Sequence, residues 1–341
     1  MPTKLNFKEV IKNKKAINIV IHDFPDPDAI SSAIGMTYIL KHAGATVGNI
    51  YYTGEISHPQ NKAMLTLLNL SLVNYETDPF KKGSSIVLVD TNNVGQDSNQ
   101  QKIRPDCVNV LAIIDHHKGH ASTSPNDIRA VGACASIVWQ YLKDMDYNYS
   151  TDEGILLATS LVTGIFTDTN SLMSDNITQL DFDAYQDLIK RVDKQKLSNI
   201  MNYPLPLYLF ELRQQAFQDS NKNVVDSTII SGVGKISPSK RDALPIIADE
   251  FLRMTGITTS IVFAIIDDYI DVSVRSNDIT LDVGSFVHQV FGTGGGKQGA
   301  GRAKIHLGFF TPDANKEINN ETWNLVKNIV HSKVHDSIKG Q

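Results

Sequence analysis

Through the first half of the 341-residue chain, short unbroken apolar runs alternate with stretches of helical spacing. Residues 17–21 (INIVI), 86–89 and 108–114 are strand-length runs, and 47–53 is rich in strand-favouring residues. Between them, 29–42 carries Ile30, Ile34, Tyr38 and Ile39 at helical spacing, and 60–70 reads as a second helix. Buried strands separated by helices predict an α/β domain whose parallel sheet has helices on both faces. Helices are also expected over 134–143, 153–166 and 180–191.

The pattern changes after a connector, 196–223, which holds Tyr203-Pro204-Leu205-Pro206 and contains a helix. Residues 228–233, 260–266 and 271–275 read as strands, with a helix over 243–254. This predicts a smaller α+β domain. The expected organisation is a first domain over 1–195, a helical linker over 196–223 and a second domain over 224–341. A length about twice that of a typical domain agrees with it.

Composition narrows the classes. Hydrophobic residues are 41% and charged residues 20%, as in a globular chain. No run reaches the roughly 18 apolar residues that span a bilayer, and the start lacks the apolar core of a secretory signal. A cytoplasmic protein without a membrane partner is expected. Cys107 and Cys134 make neither a disulfide framework nor a metal-binding pair. The formal net charge of −5 argues against a broad electrostatic grip on duplex DNA.

The acids are not spread evenly. His22, Asp26 and Asp28 follow the first apolar run, Asp90 ends the second, and Asp115, His116 and His117 end the third. Asp168 follows a long apolar helix. The C-terminal ends of parallel strands share one edge, where ligands bind. A lone aspartate after a strand is ordinarily a turn or cap residue, so convergence carries the argument. Clustered aspartates repel one another and call for a compensating cation, and no matching Lys or Arg lies in these segments. Mixed Asp and His donors suit Mn²⁺, with Mg²⁺, Co²⁺ or Fe²⁺ as alternatives, over Ca²⁺. Two ions roughly 3.5–4 Å apart, bridged by an aspartate, suit in-line displacement at phosphorus.

Four stretches carry a resemblance: His22-Asp23-Phe24-Pro25-Asp26-Pro27-Asp28-Ala29, Val89-Asp90-Thr91, Asp115-His116-His117 and Thr163-Gly164-Ile165-Phe166-Thr167-Asp168-Thr169. They resemble the four ordered motifs of the DHH phosphoesterases, the RecJ-like superfamily. Gly294-Gly295-Gly296 with Gly299-Ala300-Gly301 resembles the glycine signature of the associated C-terminal domain of nano-RNase and pAp-phosphatase-like members. The resemblance implies one Mn²⁺ on His22 and Asp26 and a second on Asp28, His116 and Asp168, with Asp90 bridging. It implies that Asp115 orients an imidazole, that His117 contacts the scissile phosphate, and that a bridging water is the nucleophile. Asp90, Asp115 and His117 are thus the expected catalytic set. In the second domain Arg275 resembles the arginine that binds substrate phosphate, with Ser276, Gly294, Gly295, Gly296, Lys297 and Arg302 beside it. Lys297 stands where many relatives have His, and Ser31 where the family often has Gly. His58 and Asn61 are weaker candidates for lining the crevice.

The function implied is a Mn²⁺-dependent phosphodiesterase that converts short oligoribonucleotides or linear dinucleotides, pGpG or pApA, to mononucleotides. A pAp phosphatase or an exopolyphosphatase is the alternative within the same chemistry. A catalytically silent nucleotide-binding regulator is the alternative from another class. A homodimer is implied by resemblance alone.

Overall fold

The computed structural model describes residues 4–12, 16–92, 103, 107–117, 124–297, 299–308 and 320–339. They form two compact units, Met1–Pro204 and Leu205–Gln341. The first contains, in order, α1 (Phe7–Val10), β1 (Ala16–Val20), α2 (Pro27–His42), β2 (Thr46–Tyr52), α3 (Pro59–Leu67), β3 (Val73–Asn74), β4 (Ser84–Val89), β5 (Val108–Asp115) and β6 (Asn126–Ile128). It continues with α4 (Cys134–Asp144), α5 (Asp152–Asp168), α6 (Gln179–Leu188) and α7 (Lys194–Met201).

All six strands run parallel in the order β3-β2-β1-β4-β5-β6. The order reverses between β1 and β4, which opens a crevice at their C-terminal ends. The apolar runs explain the centre of the sheet: Ile17, Ile19, Val87, Val89, Ala112 and Ile114 are buried against residues of α2, α4 and α5. Right-handed crossovers on either side of a reversal fall on opposite faces. Ile103, from the β4–β5 connection, is accordingly buried against the other face with Val20, Tyr51, Leu88 and Ile113, flanked by Tyr75 and Phe80. Among the described residues this smaller cluster is built from strands and the segments that join them.

The second unit holds α8 (Leu207–Phe217), β7 (Lys222–Val225), β8 (Thr228–Lys235), α9 (Ala243–Phe251), β9 (Thr259–Ile266), β10 (Tyr269–Ser276), α10 (Val283–Phe291), β11 (Gly295–Lys297), β12 (Ala300–His306) and α11 (Asn320–Lys339). Its sheet runs β11-β12-β10-β9-β8-β7, antiparallel except for β8 and β9. Helices α8 and α9 cover one face, and α10 and α11 the other. This is the expected α+β class. Within 196–223, where one helix was expected, the end of α7 and all of α8 appear, and the change of unit falls between them. No described helix is long and apolar enough to cross a membrane.

Candidate metal centre

The C-terminal edge at the β1/β4 reversal is where the acids gather. His22 directly follows β1 and Ile21. Its Nδ1 is hydrogen-bonded to the Asp23 carbonyl at 2.8 Å, which leaves Nε2 at 3.4 Å from Asp90 Oδ2 and 3.8 Å from Asp26 Oδ1. His116, just past β5, is arranged the same way. Its Nδ1 meets the Val131 carbonyl at 3.1 Å. Its Nε2 lies 3.3 Å from Asp90 Oδ1, 3.3 Å from Asp168 Oδ2 and 3.9 Å from Asp28 Oδ2. A backbone acceptor on Nδ1 fixes the tautomer and leaves Nε2 for a metal.

Local structure explains each placement. Asp26 is the N-cap of α2: its side chain accepts from Ala29 N at 3.0 Å, and Pro27 opens the helix. Asn61 in α3 donates to the Pro25 carbonyl at 2.8 Å and ties down the loop that carries His22 and Asp26. His58 caps α3 through Nδ1. Asp28 points across to α4, where it accepts from Cys134 N at 2.7 Å and Ala135 N at 2.9 Å. Asp168 is the last residue of α5, and Gly164 lets that helix reach α2. A Cβ on Gly164 would lie 2.2 Å from Ser31 Oγ and 3.1 Å from Asp28 Cα. The small residue at 31 and the glycine at 164 are therefore two sides of one contact.

Asp90 sits one residue past β4 in the left-handed region, φ 55°. That backbone costs a non-glycine residue about 1 kcal/mol or more, and Asp is among the residues that tolerate it. A hydrogen bond from Asp90 N to the Ile114 carbonyl, 2.9 Å, holds it there. Asp115 is fully buried. Its Oδ1 accepts from His116 N (2.8 Å), His117 N (3.2 Å) and His117 Nδ1 (2.8 Å), which orients the half-exposed His117 ring.

Three sets of donor atoms each lie within 4.8 Å of one another: His22, Asp26 and Asp90; Asp28, His116 and Asp168; and Asp90, His116 and His117. Electrostatics shows how the protein copes with this crowding. Burial alone would raise the Asp90 carboxyl, but the facing imidazoles of His116 and His22 outweigh it and hold the group well below the usual carboxylate range. Asp28 goes the other way: burial and the neighbouring Asp90 push its carboxyl well up. For His116, burial is outweighed by Asp90, Asp28 and Asp168, and the imidazole is pushed up to about 11. Burial is likewise outweighed at His22 by Asp26 and Asp90, which raise it well above its ordinary value.

These residues fit a divalent cation. Asp90 Oδ1 is buried and accepts no aligned hydrogen bond from the described residues, and the donors are carboxylate oxygens and imidazole nitrogens throughout.

The candidates of the second unit form a separate group. Arg275 is paired through Nε with Asp249 Oδ1 at 3.1 Å. The buried Ser276 hydroxyl is engaged by Thr259 Oγ1, the Thr258 carbonyl and Asp278 N. Arg302 donates to the buried Asp271 through Nε at 2.9 Å and Nη2 at 2.5 Å, and Arg241 Nε meets the same carboxylate at 2.9 Å. Gly294, Gly295 and Gly296 lie in and beside the β11–β12 hairpin. A Cβ on Gly294 would come within 2.2 Å of the Arg302 carbonyl, and one on Gly296 within 2.3 Å of the Ala300 carbonyl. Close strand approach thus explains two of the three glycines; Gly295 has open space around it. The backbone of Lys297 ends β11, and its side chain lies outside the described residues.

Sequence reasoning missed what supports the donors. Asp181, Val131 and Gly132 carried no motif signal, although Val131 and Gly132 contact donor-bearing segments and Asp181 holds Gly132.

Comparison with known proteins bears on the family and the fold. Residues 16–165 match the DHH family, N-terminal domain, so the first unit carries a DHH family domain. A protein of Methanocaldococcus jannaschii without assigned function is 35% identical over 98% of this chain and 66% of its own length. A probable manganese-dependent inorganic pyrophosphatase of Staphylococcus epidermidis is 26% identical over 59% of this chain and 60% of its own length. The matches thus span 60–66% of the length of these relatives, less than two thirds. The crystal structure of an exopolyphosphatase-related protein from Bacteroides fragilis shares the fold, with a TM-score of 0.70 at 16% identity, over 97% of this chain and 96% of that one.

Proposed function

We propose that the chain is a Mn²⁺-dependent phosphoester hydrolase acting on short oligoribonucleotides or linear dinucleotides such as pGpG or pApA. The observation that carries the reading is the position of Asp90. Its Oδ2 faces His22 beside Asp26, and its Oδ1 faces His116 beside Asp28 and Asp168. One carboxylate therefore stands between two donor sets, as a bridging ligand must. His22 and Asp26 would hold one ion, and Asp28, His116 and Asp168 the other.

The ions, when bound, would polarise a phosphoryl oxygen and lower the pKa of a water between them. The chain's own residues do the rest. Asp115 holds Nδ1 of His117 and so presents Nε2 as the ring's free face. Asp115 and the acidic surroundings raise the imidazole above its ordinary value, so that it meets a phosphate as a hydrogen-bonding cation. In the second unit Arg275, whose partner Asp249 is more than half exposed, is the proposed grip on a substrate phosphate, with the glycine hairpin beside it. Arg302 is already neutralised by Asp271 and supports that face.

A second reading, hydrolysis of a phosphoanhydride, is favoured by the curated relatives named as pyrophosphatases. A substrate panel separates the two. With Mn²⁺ supplied, the short-nucleotide reading expects the highest kcat/KM on pGpG or pApA. Faster cleavage of pyrophosphate or polyphosphate would replace it with the phosphoanhydride reading, and of pAp with a phosphatase. Two bound ions with no turnover on any of these would indicate a silent nucleotide-binding protein.

A further inference from the structure

One backbone segment, residues 131–135, touches two donors of one metal set and the chain neighbour of the third. The Val131 carbonyl takes Nδ1 of His116; Cys134 N and Ala135 N hold the carboxylate of Asp28. Gly132 packs against Thr169, the neighbour of Asp168, so closely that a Cβ there would lie 2.7 Å from Thr169 Cγ2. The contacts found for the other set are different: the Asp23 carbonyl, Ala29 N and, through Pro25, Asn61.

The segment is itself held by one fully buried side chain, Asp181 of α6. Its Oδ2 accepts from Gly132 N at 2.9 Å, and its Oδ1 accepts from Ala133 N at 3.2 Å and Ser136 Oγ at 2.6 Å. Helix α4 has no side-chain cap of its own at Ala133. Asp28 accepts from the first two N–H groups of the helix, and Asp181 from the two N–H groups that precede them, Gly132 and Ala133.

We propose that Asp181 is a positioning residue for one metal site only, the site of Asp28, His116 and Asp168, and that it acts through residues 131–135. The inference rests on the two-ion reading above. It goes beyond a helix-capping role, which Asp181 also has: with Thr178 it forms the capping box that opens α6. The capping bonds and the bonds to 131–136 use different donors, so they can be removed separately.

The test is a Mn²⁺ titration of the metal-stripped full chain, followed by calorimetry and by the paramagnetic resonance of free and bound ion. Wild type should show two binding steps. Asp181→Asn places an amide N–H₂ among backbone donors and should weaken one step by roughly tenfold or more, with the other unchanged within about twofold. Thr178→Ala removes the hydroxyl's part of the capping box, keeps every bond to 131–136, and should leave both steps intact while lowering thermal stability. If Asp181→Asn does not fold, Gly132→Ala carries the same test, because its Cβ displaces the segment without changing any charge. Wild-type protein with fewer than two steps would overturn the two-ion reading itself. Two wild-type steps that both survive in the variant, or that fall together in Asp181→Asn and Thr178→Ala alike, would overturn the role assigned to Asp181.

Discussion

Two buried aspartates, one in each unit, show how differently a chain can treat the same group. Asp90 and Asp271 are 1% and 2% exposed. Asp271 is enclosed by Arg241 and Arg302 in hydrogen-bonded ion pairs. A guanidinium keeps its proton at any working pH, so this carboxylate has permanent partners and a structural role. Asp90 faces imidazoles and stands among other carboxylates, on a left-handed backbone. Imidazoles release their protons, so a metal ion can take the place of the charge they carry. Burial does not separate a structural carboxylate from a functional one; the permanence of its neighbours' charge does.

The contrast is broken most forcefully at the metal edge. Asp90→Ala should lower kcat roughly a thousandfold or more, about 4 kcal/mol of barrier, while the chain stays folded. Full turnover in the Mn²⁺-supplied variant would mean that Asp90 bridges nothing. Asp271→Ala should do the reverse. Two arginines lose their partner, and chemical denaturation should register a loss of about 3 kcal/mol with Mn²⁺ binding unchanged.

A subtler effect follows from the imidazoles. The folded-state values of His116 and His22 lie above the ordinary 6.5 of an unfolded histidine, so the metal-free native state binds more protons than the unfolded one. Their contribution is complete below about pH 6.5 and is lost as pH rises toward the folded values, about 11 for His116. Thermal unfolding in chelator should therefore show stability falling from pH 6.5 to 9, and apparent Mn²⁺ affinity should rise over the same range as protons are displaced. A metal-free protein equally stable at both pH values would show that the cluster carries no excess protons. The smallest effect belongs to the second unit. Arg275→Ala should raise KM for a dinucleotide by about tenfold with little change in kcat, and an unchanged KM would remove Arg275 from substrate binding.

The sequence made the donors legible because a parallel sheet gathers strand ends at one edge, and apolar runs ending in His22, Asp90 and His116 are visible without coordinates. The supporting contacts were hidden. Asp181 reads as an ordinary capping acid, and only the fold brings it to Gly132. Strands β3 and β6 are too short for any periodic signal. The glycines at 294–296 resemble a family signature and were expected at the substrate site. Carbonyl oxygens 2.2–2.3 Å from where Gly294 and Gly296 would place a Cβ show why a hairpin needs them whatever it binds.

The claim that the acid–imidazole edge is a two-ion centre is tested most directly by the resonance spectrum of the Mn²⁺-loaded protein. The account predicts two ions per chain with the exchange-coupled signal of a bridged pair, reduced to uncoupled Mn²⁺ in Asp90→Asn. A single uncoupled ion in the wild type, or coupling that survives in Asp90→Asn, would contradict it.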